Sequence, residues 1–476
     1  MLTLKIRFYI CILFSLILYS CGTEKEEIRE STYFGGEIVN PNSHYIILYR
    51  EYGKGDTIYL DKNNRFLYKM DSLQEGAYLF YHSPENQIVL LEKGDSTLIR
   101  LNTLEFDESL VFTGDGAKKN NFLIDMFLQN EKERKNLNRY YFNFSPEDFR
   151  KKQQYLLKER LNKHDQFAAK NTLSDLAKKI TKASFTYDFY SRYEIYFYKH
   201  YGITNLDSIT DLPKDFFNYQ KEVDFNDLVL SNLYSYNRFL SNYLTNAAYT
   251  KYTKGGLINR NSLGITKYEI NLVDSLIDQP YIKDNLLRAI TKRFILNSED
   301  DIASNKVLKY FLSKSNNKNN QRELKKLAKA AYRLRPRSSI PEQDLLTHKG
   351  EIIPLTSLLK KPVTVFYFWS LQEHRDLYLK AHKKAAALEK QFPHTEFIGI
   401  NIDEEYNSNW RRTIQRNQYD LNKEFAFRFP KCSSEDLIIY YRNQVILVDQ
   451  DGKIINARSN LFSTQLKEEL KQQGNL

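Results

Sequence analysis

The segment Pro362-Val363-Thr364-Val365-Phe366-Tyr367-Phe368-Trp369 reads as apolar on both of its alternating faces. A strand of that kind must be covered from both sides, as the central strand of a layered sheet is. The residues after it can supply one covering layer. Leu377, Ala381, Ala385, Leu388 and Phe392 recur at the spacing that lines one face of a helix. Phe397-Ile398-Gly399-Ile400-Asn401-Ile402 is then a second apolar strand. It stops at Asp403, an N-cap residue for a helix in which Tyr406, Trp410 and Ile414 fall four apart. Two βα units in tandem imply a parallel sheet. Val445-Ile446-Leu447-Val448-Asp449, the turn Gln450-Asp451-Gly452-Lys453 and Ile454-Ile455 read as a hairpin. An amphipathic helix around Leu466 and Leu470 closes the chain.

This order of elements, with Phe368-Trp369 at the end of the first core strand and the Val448-to-Lys453 hairpin, resembles the periplasmic thioredoxin-like disulfide reductases of the TlpA and ResA type. The resemblance covers roughly the last third of the chain, from about Pro341. Lys349-Gly350-Glu351-Ile352-Ile353-Pro354-Leu355, followed by Leu358 and Lys361-Pro362, is similar to that family's opening turn and short strand. The resemblance implies a C-terminal α/β thioredoxin-like fold.

The family's chemistry implies two cysteines separated by two residues. The first sits at a helix N-terminus that favours its thiolate, and the second resolves the mixed disulfide. Aligned on Trp369 without a gap, this chain places Glu373 and Asp376 there. Carboxylates neither attack nor resolve a disulfide. The family's cis-proline facing the redox pair corresponds here to Asn443. No shift of alignment finds a thiol, because the chain's three cysteines are Cys11, Cys21 and Cys432, and they form no intrachain framework. The expected function is therefore a binding or scaffolding module without dithiol chemistry. Its binding face would carry Trp369, Glu373, His374 and Arg375, with Asn443 near the centre. The alternative is a thiol-disulfide oxidoreductase working through Cys432 alone, which needs an activated thiolate there. A third possibility is a structural subunit of an envelope assembly. No cofactor or metal is expected: His374, His382 and His394 with Glu373 lack the His-Glu-x-x-His spacing. His374-Arg375-Asp376-Leu377 spells the start of a kinase catalytic loop, yet Ala381 stands where that loop needs asparagine. No Gly-x-Ser-x-Gly elbow is present.

At the other end, Lys5 and Arg7 precede an apolar run from Phe8 to Leu18, too short to span a bilayer comfortably, and Leu18-Tyr19-Ser20-Cys21-Gly22 closes it. This resembles a lipoprotein signal, which implies cleavage before Cys21 and lipidation of its thiol. The expected location is the outer membrane, with the membrane and an envelope protein as partners. Lys25-Glu26-Glu27 is similar to an address for the outer cell surface, so periplasm-facing and surface orientations both stay open. Nucleic acid is not an expected partner, because the net charge of +11 is spread over 476 residues and the chain is read as exported.

The whole is read as multidomain α+β: signal peptide 1–20, acidic tether 21–32, all-β sandwich-like domain 33–116, helical domain 117–340 and thioredoxin-like domain 341–476. Strands are expected at Tyr45–Tyr49, Thr57–Leu60, Phe66–Tyr68, Tyr78–Tyr81, Ile88–Leu91, Thr97–Ile99 and Leu110–Phe112, separated by turn residues. Glu92-Lys93-Gly94-Asp95-Ser96, with Phe106-to-Leu110 and Thr113-to-Gly116, resembles a small β domain fused ahead of lipoprotein TlpA-like modules, which brings no catalytic residues. Ser145-Pro146-Glu147-Asp148 is a helix start. Further helices are read at Leu228–Tyr249, Ile282–Leu296 and Glu323–Leu334, with a loop at Asn316–Gln321 and a linker at Arg333–Glu342. Tyr187, Tyr190, Tyr193, Tyr196, Phe197, Tyr198 and Tyr201 make an aromatic helix, expected to pack between helical and β layers in preference to stacking on a ligand.

Overall fold

The computed structural model describes residues 31–51, 54–201, 209–252, 262–372, 375–403, 409–441 and 443–473. Cys21, the signal-like segment and nearly all of the tether lie outside the described residues, as do Glu373 and His374.

Eight strands open the described chain: β1 (Thr32–Val39), β2 (Tyr45–Glu51), β3 (Lys54–Tyr59), β4 (Arg65–Met70), β5 (Gly76–His82), β6 (Glu85–Leu91), β7 (Ser96–Asn102) and β8 (Val111–Gly114). They form two four-stranded sheets, β4-β1-β7-β8 and β3-β2-β5-β6. Alternation explains the shared core. Phe34, Phe66, Ile99 and Phe112 of one sheet and Ile46, Leu48, Phe80 and Val89 of the other point into one buried cluster. Leu67, the next residue after Phe66, is 66 % exposed. β1, which pairs in parallel with β7 and antiparallel with β4, was not among the expected strands.

Helices follow: α1 (Ala117–Arg139), α2 (Pro146–Asn171), α3 (Asp175–Tyr201), α4 (Tyr234–Tyr252), α5 (Leu263–Leu276), α6 (Pro280–Asn297), α7 (Asp301–Lys314) and α8 (Lys318–Arg333). Ser145 caps α2 as its sequence suggests, its side chain accepting from Asp148 N. The expected loop at Asn316–Gln321 is shorter than read. Asn317 caps α8, its Oδ1 accepting from Asn319 N and Asn320 N. The aromatic helix α3 packs chiefly against other helices, which corrects the expectation of a helix set between helical and β layers. Tyr187 meets Tyr236 edge-on at 4.9 Å, and Tyr190 stacks on Tyr219 at 5.0 Å.

The C-terminal sheet has the order β10-β9-β13-β12-β11-β14-β15, built from β9 (Asp344–Leu346), β10 (Ile352–Pro354), β11 (Val363–Trp369), β12 (Thr395–Asn401), β13 (Glu424–Phe427), β14 (Gln444–Asp449) and β15 (Ile454–Asn460). β11, β12 and β13 run parallel, and β14 is antiparallel to β11. All seven residues of β11 are buried. One set, Val363, Val365, Tyr367 and Trp369, packs with residues of α9 (Arg375–Gln391), α10 (Asn409–Arg416) and α12 (Thr464–Gln473), among them Ala381, Leu388, Trp410, Ile414 and Leu466. Phe366 and Phe368 belong instead to a continuous cluster that runs through Leu324 and Leu327 of α8 and Phe239 of α4 to Leu90 of β6. The expected hairpin is present: Asp449 Oδ1 accepts from Asp451 N at 2.9 Å and Lys453 N at 2.8 Å.

Candidate binding face at the end of the central strand

β11 ends at Trp369, and the chain turns through Ser370, Leu371 and Gln372. The turn is held by Asp403, at the end of the neighbouring parallel strand. Its carboxylate accepts from Ser370 Oγ, from Leu371 N at 2.9 Å and from Asn401 Nδ2 at 2.8 Å. The sequence marked Asp403 as a helix cap; the residues just after it lie outside the described ones, and among the described residues its side chain holds this turn. Gln372 N donates to Ser370 Oγ at 3.0 Å, which tightens the turn from within.

Gln372 also ties the turn to the β sandwich. Its Oε1 accepts from Ser83 Oγ at 2.7 Å, and its carbonyl from Asn42 Nδ2 at 3.4 Å. One side of the turn is therefore occupied by loops from the other end of the chain. The other side is a small cavity of about 120 Å³ lined by Phe368, Trp369, Ser370, Tyr378, Tyr440, Tyr441 and Asn443 among others. Tyr440 and Tyr441 are 42 % and 50 % exposed, and the Lys292 ammonium of α6 sits 4.6 Å from the Tyr440 ring centre.

The residues singled out in the sequence are distributed unevenly. Trp369 is 2 % exposed. It lines the cavity, and its indole Nε1 donates inward to Glu424 Oε2 at 3.0 Å, so it is not a surface contact residue. Arg375 and Asp376 open α9 in helical backbone, while Glu373 falls outside the described residues together with His374. Asn443 does line the cavity, with φ of +61°. Asparagine tolerates this left-handed conformation, whereas proline, held near −65°, cannot adopt it. Cys432 is exposed and unpaired on α11 (Pro430–Asp436), and is not among the residues lining the cavity.

Behind Trp369 lies a buried polar cluster that the sequence reading missed. Tyr367, Gly399 and Glu424 are direct neighbours across three parallel strands. The Tyr367 hydroxyl donates to Glu424 Oε1 at 2.7 Å. Gly399 makes this possible, since a Cβ there would lie 2.7 Å from both Glu424 Oε1 and the Tyr367 hydroxyl. His382 of α9 places Nε2 3.2 Å from Glu424 Oε1, while its Nδ1 donates to the Tyr378 carbonyl at 2.7 Å. The Tyr419 ring stacks on His382 at 3.9 Å. Burial first, and the Glu424 carboxylate second, hold the Tyr367 phenol well above the usual tyrosine range. Such a cluster can fix strand order and hold a proton. A glycine between Ile398 and Ile400 was its one signal in the sequence.

No protein-family model matches the chain, and no curated protein matches it. Solved structures do. The thioredoxin domain of a thiol-disulfide oxidoreductase from Bacteroides vulgatus is 19 % identical, covering 29 % of this chain and 99 % of its own, with a TM-score of 0.24. A thiol:disulfide interchange protein from a Bacteroides species is 21 % identical over 26 % of this chain and 80 % of its own, at a TM-score of 0.21. A thioredoxin-like protein from Bacteroides caccae covers 59 % of this chain and 92 % of its own, at 11 % identity and a TM-score of 0.33.

Proposed function

We propose that this chain is a binding or scaffolding protein of the cell envelope, exported and anchored through lipidated Cys21, whose thioredoxin-like part holds a partner without dithiol chemistry. One observation carries the reading: the turn after β11 has no cysteine within its reach in the sequence. The supporting geometry is the commitment of that turn to Asp403 and Gln372 hydrogen bonds. A partner, taken to be an envelope protein, would approach from the side of Tyr440, Tyr441 and Asn443, because Asn42 and Ser83 occupy the side of Gln372. Glu373, His374 and Arg375 would border that approach.

The exposed thiol of Cys432 favours one competing reading, a single-cysteine oxidoreductase. Crosslinking in intact cells, followed by pull-down with and without reductant, separates the two. A partner retained under reductant, and retained by a Cys432→Ser variant, is the expected result. Partners released by reductant and absent from Cys432→Ser would replace the binding role with thiol chemistry. Replacing Glu373, His374 and Arg375 by alanine should weaken the same partner while the fold persists. Radiolabelled fatty acid should enter the protein and be lost in Cys21→Ser.

A further inference from the structure

A larger cavity, of about 550 Å³, opens where the second sandwich sheet meets the helices. Its volume is that of a small-molecule site. β2, β5 and β6 contribute Tyr49, Tyr81 and Asn86, and the helical side contributes Asn237, Ser241, Tyr281 and Asn285. The lining is aromatic and amide-rich, with no carboxylate. Its one charged residue, Arg288, is neutralised by Glu323, which accepts from Arg288 Nε at 2.5 Å and from Nη2 at 2.6 Å.

The polar groups of this wall are partly fixed and partly unspent. Asn232, also in the lining, gives both amide protons to backbone carbonyls, of Arg50 at 2.6 Å and Ala77 at 2.8 Å, and so pins the β sandwich to the helical side. Asn237 gives both of its protons to the carbonyls of Ser231 at 2.6 Å and Leu233 at 3.1 Å. That fixes the amide and leaves its Oδ1 as an oriented acceptor. Among the described residues, the side chains of Tyr81, Asn86, Ser241 and Asn285 make no hydrogen bond within the protein.

From this we propose a binding site for an uncharged saccharide. Tyrosine rings present an electron-rich face to the weakly positive C–H side of a sugar ring. Unspent amides and hydroxyls match sugar hydroxyls, which both donate and accept. A charged ligand finds no unpaired counter-charge, and would be desolvated without compensation. The site is separate from the face around Asn443 and does not depend on the role proposed for it.

Calorimetric titration of the full chain with neutral oligosaccharides of glucose, mannose, galactose and N-acetylglucosamine tests the assignment. Hexuronate oligomers and an uncharged peptide serve as comparisons. At least one neutral oligosaccharide should bind, and Tyr81→Ala and Asn285→Ala should each weaken it by about tenfold or more. Tyr81 and Asn285 are both half-buried, but Asn285→Ala removes a smaller side chain and places a strong helix former within α6, so it is the decisive variant if Tyr81→Ala unfolds. Absence of binding by all four neutral sugars overturns the proposal. So does binding confined to hexuronate or peptide, or affinity unchanged in Asn285→Ala.

Discussion

The two sides of the C-terminal sheet are built from the same strand and obey different rules. On one side Phe366 joins an apolar cluster continuous with the helices and with Leu90 of the sandwich. On the other side, one residue along, Tyr367 enters a polar cluster with Glu424 and His382. The apolar side is stable to the extent that volume is filled. The other side packs an apolar layer as well, but at Tyr367 and Trp369 it depends in addition on the Glu424 acceptor, and it requires the missing side chain of Gly399. Burial is nearly complete on both sides, so burial alone does not tell which substitutions each will accept.

Four substitutions would sharpen that contrast, and the largest effect belongs to the apolar side. Phe366→Ala should lower unfolding free energy by about 3–5 kcal/mol. Because the cluster is continuous, the loss should be seen by probes in the helices as well as in the sheet. Glu424→Ala should cost about 3 kcal/mol, since the Tyr367 hydroxyl and the Trp369 indole lose their common acceptor. Adding Tyr367→Phe to it should recover part of that loss, which an apolar site would not do. Equal losses in the single and double variants would remove the distinction between the two sides. Gly399→Ala should cost about 1–3 kcal/mol by crowding the carboxylate. Its retention of full stability would mean that the glycine is incidental.

Tyr367→Phe should cost the least, about 1 kcal/mol near neutral pH, and it carries a pH signature. The folded phenol is held well above the ordinary tyrosine value of 10.0, so the folded state keeps a proton that the unfolded state releases. The stabilisation is complete below that value and is lost as pH rises through the folded one. Alkaline denaturant titrations should therefore fall less steeply above pH 10 in Tyr367→Phe than in the unsubstituted chain. A matching slope in both would place the Tyr367 proton outside the folding equilibrium.

Where residues act through local pattern, the sequence was a good guide. Apolar runs located β11, β12 and the β14–β15 hairpin, and Ser145 marked the start of α2. Short elements whose meaning comes from neighbours were lost. β13 has four residues and opens with Glu424, a carboxylate that reads as a surface residue until Tyr367 and Trp369 are known to face it. β1 carries Gly35-Gly36 in its middle, which weakens a strand pattern, yet it lies between two strands with no room for a Cβ at Gly36. The Gln372 bonds to Asn42 and Ser83 span 330 and 289 residues of sequence, and no local pattern encodes them. Trp369 was legible as the end of the strand, but its inward hydrogen bond was not.

Asn443 has a consequence for what this segment can accept. Its backbone sits where proline is sterically forbidden, and its carbonyl is bonded to Leu461 N at 2.9 Å. Proline is held near −65°, so the segment before β14 would have to change its path, and give up the present bond to Leu461, to hold a proline at 443, whatever residues stand in the turn after β11. The backbone at this one position therefore limits which redesigns of the turn's surroundings are possible by single substitution.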